Sequence, residues 1–188
     1  MKPADIPFDI SYAFDKNLRE YPCNAQDMRK ALTWIIERLE ANSFEPHQHI
    51  RMAGLAGSLA RILRDFKTAH QNLEQALRLA QIANEKKSVT ANELRLAHLY
   101  QWERQFGTST AMFDKIIKNC ETDVELEAYL DFAYQHAGKN AFDQGHYEQA
   151  ETFFKKALRI RSQRGNADLI ESTELALQAV RKRKANVS

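Results

Sequence analysis

Residues 134–158 read YQHAGKNAFDQGHYEQAETFFKKAL, and the spacing of small and apolar residues in this segment indicates the fold. Counting from Gly138, an aromatic residue lies nine positions on, a small residue twelve on and a large apolar residue sixteen on. These residues are Tyr147, Ala150 and Phe154; their equivalents are Phe66, Ala69 and Leu73 after Gly57, and Phe106, Ser109 and Phe113 after Ala97. Because small residues let two helices approach closely and an aromatic side chain fills the turn between them, the pattern predicts three helical hairpins.

The copy at residues 134–158 resembles the tetratricopeptide repeat (TPR) family, and the copy that begins at Gly57 is also a good match. The copy between them departs from the family pattern, with Leu96 in place of a small residue and with Ser109 and Ile116 where alanine is usual. Successive copies are 40 and 41 residues apart, whereas the standard period is about 34. The extra residues are expected to lengthen the helices.

The resemblance implies an all-α fold, a right-handed α-α superhelix (a TPR-like solenoid) of about three helical hairpins plus a capping helix. Residues 1–45 are predicted to form a helical N-terminal extension, with a degenerate hairpin as one interpretation of its second helix. Residues 46–163 hold the repeats, at about 46–85, 86–120 and 121–163, and residues 164–188 hold the capping helix and a basic tail.

Capping residues and glycines predict where the helices begin and end. Thr90 and Thr122 are expected to begin helices, Pro46 fits a first turn, and Gly107, Gly145 and Gly165 are taken as breaks. Almost no strand is expected. The predicted helices lie near residues 10–20, 25–42, 46–63, 67–84, 90–104, 109–119, 122–143, 147–163 and 167–183.

The amino-acid composition limits the classes of function that we expect for this chain. The chain has 188 residues, 44% of them hydrophobic, and 27 Lys and Arg against 25 Asp and Glu, which indicates an ordinary folded domain without a strongly basic surface. Cys23 and Cys120 form no CxxC motif and are expected to be plain thiols in a reducing compartment. With no long apolar stretch to act as a leader or a membrane span, we expect a cytoplasmic protein that does not contact membranes.

Resemblance to the family implies that the first helices of the hairpins line a concave groove where ligands bind. The predicted groove residues are Arg51, Ser58, Arg61, Leu94, His98, Gln101, Trp102, Gln135, Lys139 and Phe142. This mixture of basic, amide and aromatic side chains favours a peptide or protein segment with acidic groups. Trp102 and Phe142 have two interpretations that stay open at this point, as ligand anchors or as residues that pack between helices.

Two other modes of interaction compete with the groove. The last helix carries an apolar stripe that includes Leu175, Leu177 and Val180, which could pair with a second copy of the chain if the helix does not fold back as a cap. The run Arg181-Lys182-Arg183-Lys184 could contact phosphates of a nucleic acid, although cations at a helix C-terminus are also favoured by the helix dipole. The resemblance also implies a comparison with family members that clamp the C-terminal carboxylate of a chaperone through Lys and Asn side chains. The corresponding positions here have no asparagine, so such a clamp is not expected, and Arg95 and His98 are weaker candidates for binding a carboxylate.

The sequence predicts neither catalysis nor a cofactor. It holds no GxSxG, GxxxxGK[ST] or HExxH motif. His47 and His49 are the closest pair of histidines, but residues two apart on a helix point away from each other, so no metal site is predicted. Asp131, Asp143, Glu148 and Glu151 are interpreted as surface carboxylates. The predicted function is a non-catalytic scaffold that binds a protein or peptide, with a self-associating subunit as the alternative and a nucleic-acid binder as a weaker one.

Overall fold

The computed structural model describes residues 5–185, and this part of the chain is mostly helical. Two short strands, β1 (Tyr12–Phe14) and β2 (Glu20–Pro22), precede the helices. The helices are α1 (Ala25–Glu40), α2 (Pro46–Ile62), α3 (Phe66–Ile82), α4 (Lys86–Trp102), α5 (Phe106–Thr122), α6 (Leu130–Asp143), α7 (Tyr147–Arg164) and α8 (Ala167–Ala185). Helices that follow one another along the chain pack as neighbouring pairs, which confirms the predicted all-α helical-repeat fold.

The chain divides into two compact units. The first unit holds residues 5–15 and 19–99 of the described chain, and the second holds residues 16–18 and 100–185. In the first unit α1 packs on α2 and α2 on α3. In the second unit α5 packs on α6, α6 on α7, and α8 on α7 and α6.

In two of the three copies the repeated residues make the close contact that the pattern predicts. Phe66, Phe106 and Tyr147 are the first residues of α3, α5 and α7. The small residue of a repeat meets the large residue sixteen positions on: a Cβ added to Gly57 would lie 2.4 Å from Leu73 Cγ, and one added to Gly138 would lie 2.6 Å from the Phe154 ring. Glycine is therefore required for the close approach of α2 to α3 and of α6 to α7.

Most helices end at a residue with left-handed backbone conformation. Arg64, Asn84 and Arg104 have φ of 63°, 52° and 64° and follow α2, α3 and α4, while Gly145 plays the same part after α6 with φ of 79°. At each site two backbone N–H groups bond back to the final helical turn, as in Arg64 N to Arg61 O at 3.0 Å and Asp65 N to Ala60 O at 2.9 Å. Three of these four residues are not glycine, so the positions of glycines in the sequence do not predict these helix ends.

The predicted helix at residues 10–20 is wrong. β1 and β2 form an antiparallel hairpin there, with Ala13 opposite Tyr21. Its loop is closed by Asp15 N donating to Arg19 O and by Arg19 N donating to Asp15 Oδ1, both at 2.9 Å. Leu18, with φ of 62°, supplies the reversal of the chain. The aromatic residues of β1 alternate with small ones, a pattern that favours a strand over a helix.

Three predicted boundaries also need correction. Thr90 lies in the second turn of α4, where its hydroxyl donates to Lys86 O at 3.0 Å, because the turn at Asn84 lets the helix begin earlier. Gly107 is the second residue of α5 and breaks nothing. Thr122 ends α5 instead of beginning a helix, and a 3-10 helix, Glu127–Tyr129, precedes α6. Pro46 stands in the first turn of α2, as predicted.

A buried charge network joins the last three helices of the second unit. Asp131 on α6 accepts from Arg161 Nε on α7 at 2.9 Å and from Arg164 Nη1 at 2.6 Å. Arg161 Nη1 also donates to Thr173 Oγ1 on α8 at 2.7 Å. Burial lowers the pKa of the Arg161 guanidinium, while its bond to Asp131 opposes that shift. The network fixes α8 in place as the cap of the second unit.

Candidate binding site on the first helices

In the first unit, two predicted groove residues meet at one carboxylate. Arg61 near the end of α2 donates to Glu20 Oε2 at 3.0 Å, and His98 Nε2 on α4 lies 3.8 Å from the same oxygen. All three side chains are buried. Arg61 and His98 come from the first helices of consecutive hairpins, so the repeat brings together residues that are 37 positions apart in sequence. A guanidinium and an imidazole that face one point form a carboxylate-binding arrangement.

The other groove residues of the first unit differ in access. Arg51 is exposed in the second turn of α2, Ser58 is half-buried and donates to Gly54 O at 3.0 Å, and Leu94 is buried. Arg95, which we considered as a carboxylate contact, donates to Asn92 Oδ1 at 2.8 Å. Gly54 leaves room for this pair, because a Cβ there would lie 2.5 Å from Asn92 Oδ1.

In the second unit the predicted groove residues are all buried. Gln101 donates to Asp143 Oδ2 at 2.8 Å, and Trp102, Gln135 and Lys139 each expose 6% or less of their surface. Gln135 has no hydrogen-bond partner for either side-chain polar atom. These side chains are therefore buried and do not present an open surface.

Phe142 packs in the core of the second unit. It clusters with Leu18, Phe154 and Val180 and stacks edge-on against Tyr147, with 5.6 Å between the ring centroids. Beside it, Arg183 Nη2 donates to Asn17 Oδ1 at 2.6 Å. Of the two interpretations of Phe142, the structure supports packing.

Sequence reasoning missed the contribution of the N-terminal segment to both units. Glu20 holds Arg61 and His98 in the first unit, and Leu18 covers Phe142 in the second. The alternation in Ser11-Tyr12-Ala13-Phe14 signals a strand and could have been noticed. Nothing in the sequence pairs Glu20 with residues 41 and 78 positions further on.

The remaining candidate residues have structural partners. His47 Nδ1 lies 3.0 Å from Glu85 Oε2, and among residues 5–185 no three His, Cys, Asp or Glu side chains converge on a metal-binding point. Asp131 is buried, so its interpretation as a surface carboxylate is wrong; Asp143 accepts from Gln101, and Glu151 accepts from Lys155 at 2.6 Å. In the basic run, Lys184 bonds Glu151 Oε2 at 3.0 Å. Neither Cys23 nor Cys120 is part of a disulfide bond, as predicted.

The apolar stripe of α8 is largely used within the second unit. Ala176, Leu177 and Val180 are buried in the core cluster, whereas Leu175 is 47% exposed. The helix therefore folds back as a cap. None of the helices within residues 5–185 combines the length and the apolar character that crossing a membrane requires.

Comparison with known proteins agrees with this architecture. Residues 133–164, which cover nearly all of α6 and all of α7, match the family model described as tetratricopeptide repeat. Among solved structures, the chain is similar to BtubC (BKLC) from P. vanneervenii, with 21% identity and a TM-score of 0.64 over 85% of this chain and 67% of that one. No curated protein matches the sequence. Residues 133–164 are thus a tetratricopeptide repeat within a chain that has a helical-repeat fold.

Proposed function

We propose that the protein is a non-catalytic scaffold that binds an acidic protein or peptide segment on the first helices of its hairpins. The observation that supports it is the convergence of Arg61 and His98, from two successive hairpins, on one carboxylate oxygen. Tetratricopeptide repeats are in general protein-interaction modules without catalytic activity. Arg51, exposed on the same helix as Arg61, adds a cation that a partner can reach.

The test compares two exposed arginines of the first unit that lie on different helices. Arg51→Glu reverses a charge on α2, and Arg78→Glu reverses a charge on α3, the second helix of the same hairpin. Both side chains are exposed, so both variants should retain the wild-type melting curve. Proteins captured by wild type are identified by mass spectrometry, and the binding of each purified partner is then measured directly.

We expect partners that bind wild type and Arg78→Glu but not Arg51→Glu, with affinity that falls as salt is raised. A partner that binds all three forms equally would show that the first-helix surface is not the binding surface. Arg61 and Trp102 are poor first choices for this comparison, because both are buried and their replacement would disturb the fold.

Self-association through α8 is the second candidate, supported by the exposed Leu175. Light scattering would then give a mass above 21.7 kDa, and Leu175→Glu would return the mass to that of a monomer. A monomeric mass for wild type would exclude this candidate.

A further inference from the structure

The occupant of the Arg61 and His98 site is a segment of this chain. Glu20 keeps only 5% of its surface exposed and lies on a strand that packs against α2. The Arg61 guanidinium and the His98 imidazole that face it stand at predicted ligand-contacting positions. A carboxylate from another molecule would meet the same guanidinium and the same imidazole.

The segment that carries Glu20 is extended and has little stability of its own. Residues 12–22 form two strands of three residues each, and a two-stranded hairpin of this size is marginally stable on its own. Tyr12 and Tyr21 remain about half exposed, at 50% and 48%. Leu18 is the only apolar residue of 12–22 that is buried, and elements that bury so little apolar surface open locally at a small cost in free energy.

Glu20 is one of the points that attach the hairpin to the first unit, through Arg61 and His98. The pKa of Tyr12 is raised by burial and then by the negative charge of Glu20, which indicates that β1 also lies near this carboxylate. In the second unit the hairpin loop contributes Leu18 to the core and Asn17 to the bond with Arg183. An extended chain with a buried acidic side chain is the form that a bound acidic peptide would take.

We propose that residues 12–22 are an internal occupant of the binding site, with Glu20 in the place of a partner's carboxylate, and that an acidic extended segment of the partner binds by displacing them. This inference rests on the proposed function and adds the chemistry of the partner and the control of its access. Free protein is then mostly closed, and binding opens the hairpin.

The test uses the full chain and fluorescein-labelled hexaglutamate as the acidic probe, with hexaglutamine as the neutral control. Glu20→Gln removes the internal carboxylate but preserves its shape. The double variant Glu20→Gln/Arg61→Gln removes both members of the ion pair, so neither is left buried without the other. Glu171→Gln, an exposed carboxylate on α8, is the matched control. Melting curves establish that every variant is folded.

We expect hexaglutamate to bind Glu20→Gln at least tenfold more tightly than wild type or Glu171→Gln, and the double variant to lose that gain. In wild type, saturating hexaglutamate should accelerate amide hydrogen exchange at residues 12–22, with no change in α2 or α3. Hexaglutamine should neither bind Glu20→Gln more tightly than wild type nor accelerate exchange at residues 12–22.

Equal affinity of hexaglutamate for wild type and Glu20→Gln would overturn the proposal, and so would a gain that survives in the double variant. Binding without faster exchange at residues 12–22 would also overturn it, since the hairpin would then remain in place. The scaffold function is tested separately. Partners that bind Arg51→Glu as tightly as wild type would contradict it even if hexaglutamate displaced the hairpin.

Discussion

The two units each bury an ion cluster, and the clusters differ in what holds the carboxylate. In the second unit Asp131 lies on α6 and its arginines on α7, the adjacent helix of the same hairpin. In the first unit Glu20 comes from a short strand, while Arg61 and His98 come from helices much further along the chain. The Asp131 cluster cannot open without unpacking a hairpin, whereas the proposed displacement of residues 12–22 would open the Glu20 cluster and leave its helices packed. Under that proposal, similar chemistry is structural in the second unit and suited to exchange in the first.

Asp131→Asn should produce the largest loss of stability. It leaves the buried Arg161 guanidinium without its counter-charge, and breaking a buried pair in this way costs about 3–5 kcal/mol. For a chain of this size that corresponds to a fall in Tm of roughly 6–20 °C. Urea denaturation followed by circular dichroism measures the change, with the exposed Asp168→Asn on α8 as control. A loss below about 1 kcal/mol would mean that the cluster is not structural.

Gly57→Ala and Gly138→Ala test what the two units have in common. In each, the new methyl group would collide with a fully buried side chain, Leu73 or Phe154. Overpacking of this kind costs about 1–3 kcal/mol, and we expect losses of similar size in both units. Gly107→Ala is the control, because a Cβ there meets nothing within 4 Å. Losses confined to one unit would show that the hairpins are not equivalent in packing.

Glu20→Gln should cost less than either of those changes in global stability. Local release of the hairpin lets Arg61 reach solvent, so we expect a decrease of about 1 kcal/mol in the free energy of unfolding, well below the usual cost for a buried pair. Urea denaturation beside Asp131→Asn measures the difference between the two clusters. Equal losses would show that the N-terminal hairpin is as integral to its unit as α7 is to the other.

The sequence predicts the helices well because their packing is local. The contact of Gly57 with Leu73 and that of Gly138 with Phe154 follow from one spacing of sixteen residues, which the sequence repeats. Arg64, Asn84 and Arg104 end helices without glycine, and backbone hydrogen bonding in the folded turn decides such stops.

The sequence predicts two of the three residues that meet at the candidate site. Arg61 and His98 follow from the register of the repeat. The third member, Glu20, comes from a strand whose partner helices lie far along the chain, and a contact of that kind leaves no periodic signal. The burial of Phe142 by Leu18 escapes prediction for the same reason.

Glu151 should show the smallest effect and the clearest dependence on pH. Bonds from Lys155 and then from Lys184 lower the pKa of this carboxyl group from its ordinary 4.5 to about 2. Since the folded form binds the proton less tightly than the unfolded form, the contribution to stability is present above pH 4.5 and is lost as the pH falls towards 2. Exposure to solvent limits this contribution to less than about 1 kcal/mol.

Urea denaturation of wild type and Glu151→Gln at pH 6, 4 and 2.5 tests this, with the exposed Glu174→Gln as control. The two curves should differ at pH 6 and converge as the pH falls. Because Lys184 belongs to α8 and Glu151 to α7, equal stability of the two forms at pH 6 would mean that the cap is held by the Asp131 cluster and by packing alone. In that case the surface pair would add nothing to the contrast between the units, which would then rest entirely on their buried carboxylates.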